Sequence, residues 1–292
     1  MGMTTLTKTA NTFALGGDLT VNRLGYGAMR ITGPGIWGEP KDRGEAIKVL
    51  QRAVELGVNF IDTADSYGPE VSENIIAEAL YPYPKDVVIA TKAGLTRFGP
   101  NKWEPLARPE YLRQQVEMSL RRLKLERIDL FQLHRIDPKV PVEESLGALK
   151  DLQKAGKIRH IGLSEVTADE IERASKTVKI VSVQNQYNLT DRQHEKVLQY
   201  SEKHNLAFIP WFPVAAGKLA QPGGFLEQIA KKHDATIAQV SVAWLLHHSP
   251  VMLPIPGTSS VKHLEENVGS LKVQLTPDEW TAIESAAEKA KS

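Results

Sequence analysis

Apolar and polar positions alternate along this chain in two distinct rhythms, and the rhythms take turns. Short apolar, β-branched runs recur at RLGYGAM, NFIDTA, VVIATK, IDLFQLH, IRHIGLS, IVSVQNQ, LAFIPWF and VMLPIPG. Such runs suit strands buried on both faces. Between them lie segments with apolar residues three and four apart, the helical spacing. DRGEAIKVLQRAVELG is one, with Ile47, Leu50 and Val54 on one face and Gly57 as a stop. SENIIAEAL is another, for which Ser72 is the expected N-cap. RPEYLRQQVEMSLRRLKLE places Pro109 near its start, and TADEIERASK offers Thr167 as a cap. Helical spacing returns in PVEESLGALKDLQKAGK, RQHEKVLQYSEKHN, FLEQIAKKHD, TIAQVSVAWLLHHS, VKHLEENV and TPDEWTAIESAAEKA. Before the first of the eight runs, Phe13–Leu15 and LTVN flank Gly16-Gly17-Asp18 and read as a hairpin.

Strand–helix alternation implies parallel strands. Eight such units in about 250 residues predict an α/β fold, a (β/α)8 TIM barrel, here with an N-terminal β-hairpin and extra helices. An open doubly wound sheet is the competitor. The first strand, however, runs into GYGAMRITG, which lacks the GxGxxG spacing, and no Walker loop occurs. Residues 1–292 are expected to form a single domain.

Composition narrows the function. The chain has 292 residues, 41% hydrophobic and 24% charged, with a formal net charge of +1. That balance gives no reason to expect nucleic acid or an anionic membrane as partner. Zero cysteines exclude a thiol nucleophile and disulfides. No apolar run approaches the roughly 20 residues of a membrane span, and MGMTTLTKTANTF has no signal-peptide core. A cytoplasmic location is the expectation.

The active site of such a barrel lies at the C-terminal ends of its strands. Asp62 ends the second strand, Lys92 the third and His134 the fourth; Tyr67 follows on the loop after Asp62. By strand parity Asp62 shares a face with Phe60, Lys92 with Val88 and Ala90, and His134 with Leu130 and Gln132. Taken singly, each has an ordinary reading: a turn cap, a surface lysine, a core histidine, a packed ring. Together they fit one task. An ammonium beside a tyrosine favours phenolate and lowers its pKa, and a carboxylate can keep that ammonium charged in a buried site. Tyr67 then serves as general acid toward an oxygen gaining negative charge, with His134 fixing that oxygen. Asp65 has no role in this scheme and reads as a loop carboxylate.

These residues sit in familiar company. DTADSYG, ATK, QLH, HIGLSEV, VQNQYN and IPG…HLEEN resemble, in order, the motifs of the aldo-keto reductase superfamily over essentially the whole chain. The resemblance implies an NAD(P)H-dependent oxidoreductase that reduces aldehydes and ketones, with Asp62, Tyr67, Lys92 and His134 as its catalytic tetrad. It further implies cofactor contacts from Ala28, Met29 and Asp62, and from Ser164, Glu165 and Gln184 at the carboxamide. Trp211 is the aromatic expected to stack on the nicotinamide, beside Phe212, Pro213 and Val214. Gly217, Lys218 and Leu219 run along the pyrophosphate in this reading. Pro256, Gly257, Thr258, Ser259, Ser260 and His263 hold the 2′-phosphate, and Glu266 and Asn267 the adenine. Glu165 stands where the family often has asparagine. Gly257 and His263 stand where it often has lysine and arginine. NADPH is the expected cofactor, with NADH left open.

Trp37, Phe98, Trp103, Tyr67, His134 and Arg135 are the candidate substrate contacts; Arg135 suits either an anionic substrate or a neighbouring carboxylate. The GYGAMRITGPG and IPGTSSVKHLEEN segments look most like a bacterial branch in which some members reduce pyridoxal. The expected partner is a small carbonyl compound, with the chain a monomer or weak homo-oligomer. A Schiff-base lyase using Lys92 and a cofactor-binding regulatory subunit are the alternatives.

Overall fold

The computed structural model describes residues 12–214 and 224–289. Strands β1 (Thr12–Leu15) and β2 (Leu19–Asn22) form the expected antiparallel hairpin. Phe13, Leu15 and Val21 are buried in one cluster with Phe60, Val88, Ile128, Ile158 and Ile180. Those five lie in the first residues of barrel strands, so the hairpin stops the N-terminal end of the barrel.

The barrel wall is a parallel sheet in the order β3 (Tyr26–Gly27), β4 (Phe60–Asp62), β5 (Val88–Ala93), β8 (Ile128–Leu133), β9 (Ile158–Ser164), β10 (Ile180–Gln184) and β11 (Ala207–Phe208). The eighth run closes the ring without forming a full strand. Phe208 donates to Val251 O, Leu253 to Phe208 O, and Gly25 to Pro254 O, at 2.9, 2.8 and 2.9 Å. The first strand is shorter than its apolar run suggests, because Ala28–Ile31 turn into a 3-10 helix.

Helices α1 (Arg43–Glu55), α2 (Val71–Leu80), α3 (Pro109–Leu123), α4 (Val142–Lys154), α5 (Ala168–Ser175) and α6 (Glu195–His204) alternate with the strands. Helices α7 (Phe225–Lys232), α8 (Ile237–His248), α9 (Val261–Gly269) and α10 (Pro277–Lys289) complete the shell. Tyr26, Ile61 and Ile89 face outward against Val49, Leu50, Ile75 and Ile76 of α1 and α2. Their neighbours Phe60, Asp62, Ala90 and Lys92 therefore point into the barrel.

Two local expectations change. The N-cap of α2 is Glu70, in a left-handed conformation, rather than Ser72. Ser72 Oγ instead donates to Ala28 O at 3.1 Å and accepts from Thr63 Oγ1 at 2.8 Å, tying α2 to the first two strands. The segment after β5, where no strand is expected from the sequence, is a second hairpin, β6 (Leu95–Gly99) with β7 (Lys102–Pro105). Thr167 does cap α5, in a capping box with Glu170.

Candidate active site

At the C-terminal mouth, Asp62 gathers three donors. Its Oδ2 accepts from Lys92 Nζ at 2.6 Å, and its Oδ1 from Gln184 Nε2 at 2.8 Å and Gln132 Nε2 at 3.2 Å. Lys92 Nζ also donates to Thr63 O at 2.7 Å and lies 5.2 Å from the centre of the Tyr67 ring. Lys92 and Asp62 are essentially inaccessible to solvent. Burial presses the Lys92 pKa down, but the charge of Asp62, then Tyr67 and the hydrogen bonds, leave it raised, so the side chain is an ammonium at neutral pH.

Tyr67 is 6% exposed and meets the His134 ring edge to face at 6.0 Å. Here the sequence expectation needs correction. Burial raises the Tyr67 pKa more than the Lys92 charge and hydrogen bond lower it, so the phenol ends above its ordinary value. The lysine moderates the cost of burial and does not reverse it. At His134, burial and then Lys92, Arg135 and Arg97 hold the pKa well below 6.5, which leaves a neutral imidazole. Ser66 Oγ lies 3.4 Å from its Nδ1.

Asp65 is not an ordinary loop carboxylate. It is buried, its Oδ2 accepts from Tyr111 Oη at 3.2 Å, and its Oδ1 has no partner. Burial, with Glu73 nearby, pushes its pKa up to about 8. Glu73, fully buried, is satisfied by Thr91 Oγ1 and Arg122 Nε, both at 2.6 Å.

The residues expected at a cofactor lie on an arc beside this cluster. Ser164 and Gln184 end β9 and β10. Gln184 spends its amide nitrogen on Asp62, which leaves its carbonyl oxygen free to accept. Ser164 Oγ accepts from Arg135 Nη1 at 3.2 Å, so its own proton is available. This pair offers an acceptor and a donor, a fit to a primary carboxamide. Glu165 explains its departure from asparagine: Oε1 accepts from Trp211 Nε1 at 2.6 Å and Gln186 N at 2.7 Å. The carboxylate thus orients the half-buried indole of Trp211. Phe212 and Val214 are exposed beyond it.

Across the mouth, Gly27 and Gly257 pack backbone on backbone; a Cβ on Gly27 would meet Ile255 O at 2.7 Å. Tyr26 Oη donates to Thr258 O at 2.5 Å. Ser259, Lys262 and His263 are exposed at the start of α9, where Ser260 makes no side-chain cap. Such a helix start with exposed hydroxyls, an ammonium and an imidazole suits a phosphate, although Val261 N is already bonded to Glu45 Oε1 at 3.2 Å. Ala28 is buried with its carbonyl engaged by Ser72, while Met29, Glu266 and Asn267 are half-buried. Gly217, Lys218 and Leu219 lie outside the described residues.

The candidate substrate contacts divide. Phe98 is 64% exposed. Trp37 and Trp103 flank the Arg97 guanidinium, at 5.6 and 3.5 Å from their ring centres. Arg135 makes no ion pair among the described residues; its Nη1 donates to Ser164 Oγ and to His134 O, the latter at 2.6 Å. Sequence reasoning missed Arg97 altogether. It also noted Gln132 only for its parity.

A model of the aldo/keto reductase family matches residues 23–288. The chain is 55% identical to an uncharacterized oxidoreductase of Schizosaccharomyces pombe, over 94% of this chain and 90% of that one. It is 42% identical to pyridoxine 4-dehydrogenase of Escherichia coli, over 94% and 98% of the two chains. Among solved structures, a glycerol dehydrogenase from Gluconobacter oxydans superposes with a TM-score of 0.86, at 28% identity over 97% of each chain.

Proposed function

The chain belongs to the aldo/keto reductase family, and on that premise we propose that it reduces aldehydes or ketones to alcohols with NADPH, using Tyr67 as the proton donor. Family members use NADP(H). When bound, the dihydronicotinamide supplies a hydride to the carbonyl carbon. The protein's task is to position the carbonyl and deliver one proton to its oxygen as the C=O π bond breaks, so that carbonyl, NADPH and a proton give alcohol and NADP+.

One observation carries this reading: at the barrel mouth the buried ring of Tyr67 lies 5.2 Å from Lys92 Nζ and meets the His134 ring edge to face at 6.0 Å, so phenol, ammonium and imidazole share one site. Tyr67 holds its proton at neutral pH and gives it up to a nearby oxyanion. Lys92, kept charged by Asp62, stabilises the phenolate that results. His134, neutral, donates a ring N–H to the carbonyl oxygen and fixes its direction. Ser164 and Gln184 bind the carboxamide, Trp211 stacks on the ring, and the start of α9 receives the adenosine phosphate.

The relative named pyridoxine 4-dehydrogenase supports pyridoxal as the first substrate to try. The test is a carbonyl panel that includes pyridoxal, followed by NADPH absorbance and repeated with NADH. Tyr67→Phe is expected to abolish turnover and leave NADPH binding, read by fluorescence quenching, nearly intact. Unchanged turnover in that variant removes Tyr67 as the acid.

A further inference from the structure

We propose that Arg97 is a positioning residue that clasps three loops of the barrel mouth into one rigid frame and so fixes the segment carrying Tyr67. Nothing in the family resemblance or in the relatives assigns this residue a role.

A guanidinium has five N–H donors, and Arg97 spends all of them on backbone carbonyls. Nη1 donates to Ile36 O at 2.6 Å and Ser66 O at 2.8 Å; Nη2 donates to Gly35 O at 2.9 Å and Gly99 O at 3.2 Å; Nε donates to Lys102 O at 3.2 Å. Gly35 and Ile36 belong to the loop after β3. Ser66 belongs to the loop after β4 and precedes Tyr67. Gly99 and Lys102 belong to the β6–β7 hairpin. One side chain on the hairpin therefore holds both other loops. Trp103 covers one part of the half-buried guanidinium and Trp37 another, which partly shields bonds that a charged donor makes strong.

The same loops are stitched to each other around Arg97. Gly38 N donates to Gly68 O, Gly68 N to Ile36 O at 3.3 Å, and Asn101 N to Gly35 O at 2.9 Å. Arg97 has no carboxylate partner among the described residues, and it lies within electrostatic reach of both Tyr67 and His134. Its contacts are to the substrate side of the mouth. None is to Ser164, Gln184, Trp211 or α9, the arc assigned to the cofactor.

That separation gives the test. Arg97→Met keeps the aliphatic stem and removes every donor; Arg97→Lys keeps the charge but cannot bridge five carbonyls. Two readouts are taken. In hydrogen exchange on the whole protein, the amides of Gly38, Gly68 and Asn101 are expected to exchange at least tenfold faster in Arg97→Met, while β5 and β8 amides are unchanged. In steady-state carbonyl reduction, kcat is expected to fall at least tenfold with the NADPH dissociation constant within twofold, and Arg97→Lys to fall in between. Should the methionine variant not fold, the lysine variant carries the same comparison, with the same direction expected. Unchanged exchange at the three amides, kcat within twofold of wild type, or parallel loss of NADPH affinity and thermal stability would each overturn the proposal. The kinetic arm rests on the reductase reading. If the wild-type chain reduces no carbonyl, that reading fails, and the exchange arm alone still decides the clasp.

Discussion

Asp62→Asn removes one charge from the centre of the site while keeping the side chain's shape. In the native protein Lys92 Nζ donates to Asp62 Oδ2 at 2.6 Å and Thr63 O at 2.7 Å, lies beside Tyr67, and has no access to water. The variant leaves only neutral acceptors to satisfy a buried ammonium, because the carboxylate that paired with it is gone. Removing one member of a buried pair costs about 3–5 kcal/mol when the other stays charged. Lysine can escape by losing its proton, which from its ordinary pKa costs about 5 kcal/mol at pH 7. The two routes are similar in cost, so the loss of stability is bounded near that figure, and a large share of Lys92 becomes neutral. The catalytic consequence follows from distance. A unit charge 5.2 Å from the Tyr67 ring centre, at an effective dielectric constant of about 20, is worth about 3 kcal/mol to a phenolate. Losing it slows proton delivery by about two orders of magnitude. The assay is kcat with saturating NADPH, repeated with deuterated cofactor so that the hydride step is known to be read, alongside urea unfolding. Lys92→Met is the reference, and the double variant is expected to be no slower than either single one, because both remove the same charge. If Asp62→Asn keeps kcat within threefold while Lys92→Met loses a hundredfold, the carboxylate is not what keeps the lysine charged.

Two further predictions concern groups outside the tetrad. Asp65 is pushed up to about 8 in the fold, whereas the unfolded chain ionises near pH 4. The folded state thus holds the extra proton across that window, and stability falls as pH rises through it. Asp65→Asn removes this dependence: it is expected to be more stable than wild type by about 1 kcal/mol or more at pH 8 and equal near pH 4, by urea midpoints. An identical difference at both pH values would refute the assignment. His248 is the opposite case. Burial opposes its charge, but Glu195 and Glu284 leave its pKa raised above 6.5. Its contribution is complete below the unfolded value and is lost as pH rises through the folded one. The stability gap between wild type and His248→Gln should therefore be wider at pH 6 than at pH 9; a constant gap speaks for its Tyr187 hydrogen bond and ring stacking alone.

The fold was readable because its strands are buried on both faces and its helices on one, and the two periods differ. Asp62, Lys92 and His134 were readable because each sits at the end of an apolar run, where a charged or polar side chain has no packing reason to be. What failed was governed by contacts distant in sequence. The first strand stops at Gly27 because Ala28–Ile31 turn into a 3-10 helix, tied to α2 through Ser72, and no apolar period encodes that contact. Arg97 is unremarkable in GLTRFGP; three of its five acceptors are carbonyls some 60 and 30 residues earlier in the chain, and carbonyls leave no trace in residue identity. The β6–β7 hairpin had one legible signal, the Gly99-Pro100-Asn101 turn between two short runs. The net pKa of Tyr67 depends on how deeply it is buried, which a sequence does not state.

That last quantity sets how the rate in each direction depends on pH. With burial outweighing Lys92, the phenol stays protonated throughout the physiological range. A proton donor must be in that state before the carbonyl arrives, so reduction should be independent of pH from about 6 to 9 and decline only above the ordinary tyrosine value of about 10. Alcohol oxidation needs the phenolate to take a proton, so its rate should climb close to tenfold per pH unit below that value. The check is a pair of pH–rate profiles on one alcohol and its carbonyl. A reduction profile that instead breaks near pH 7 would transfer the acid role to another group, and His134 is a poor recipient. Burial and three neighbouring cations keep its imidazole neutral well below that pH. It can point a hydrogen bond at the oxygen but has no surplus proton to give, so under the proposed reaction the acid role stays with Tyr67.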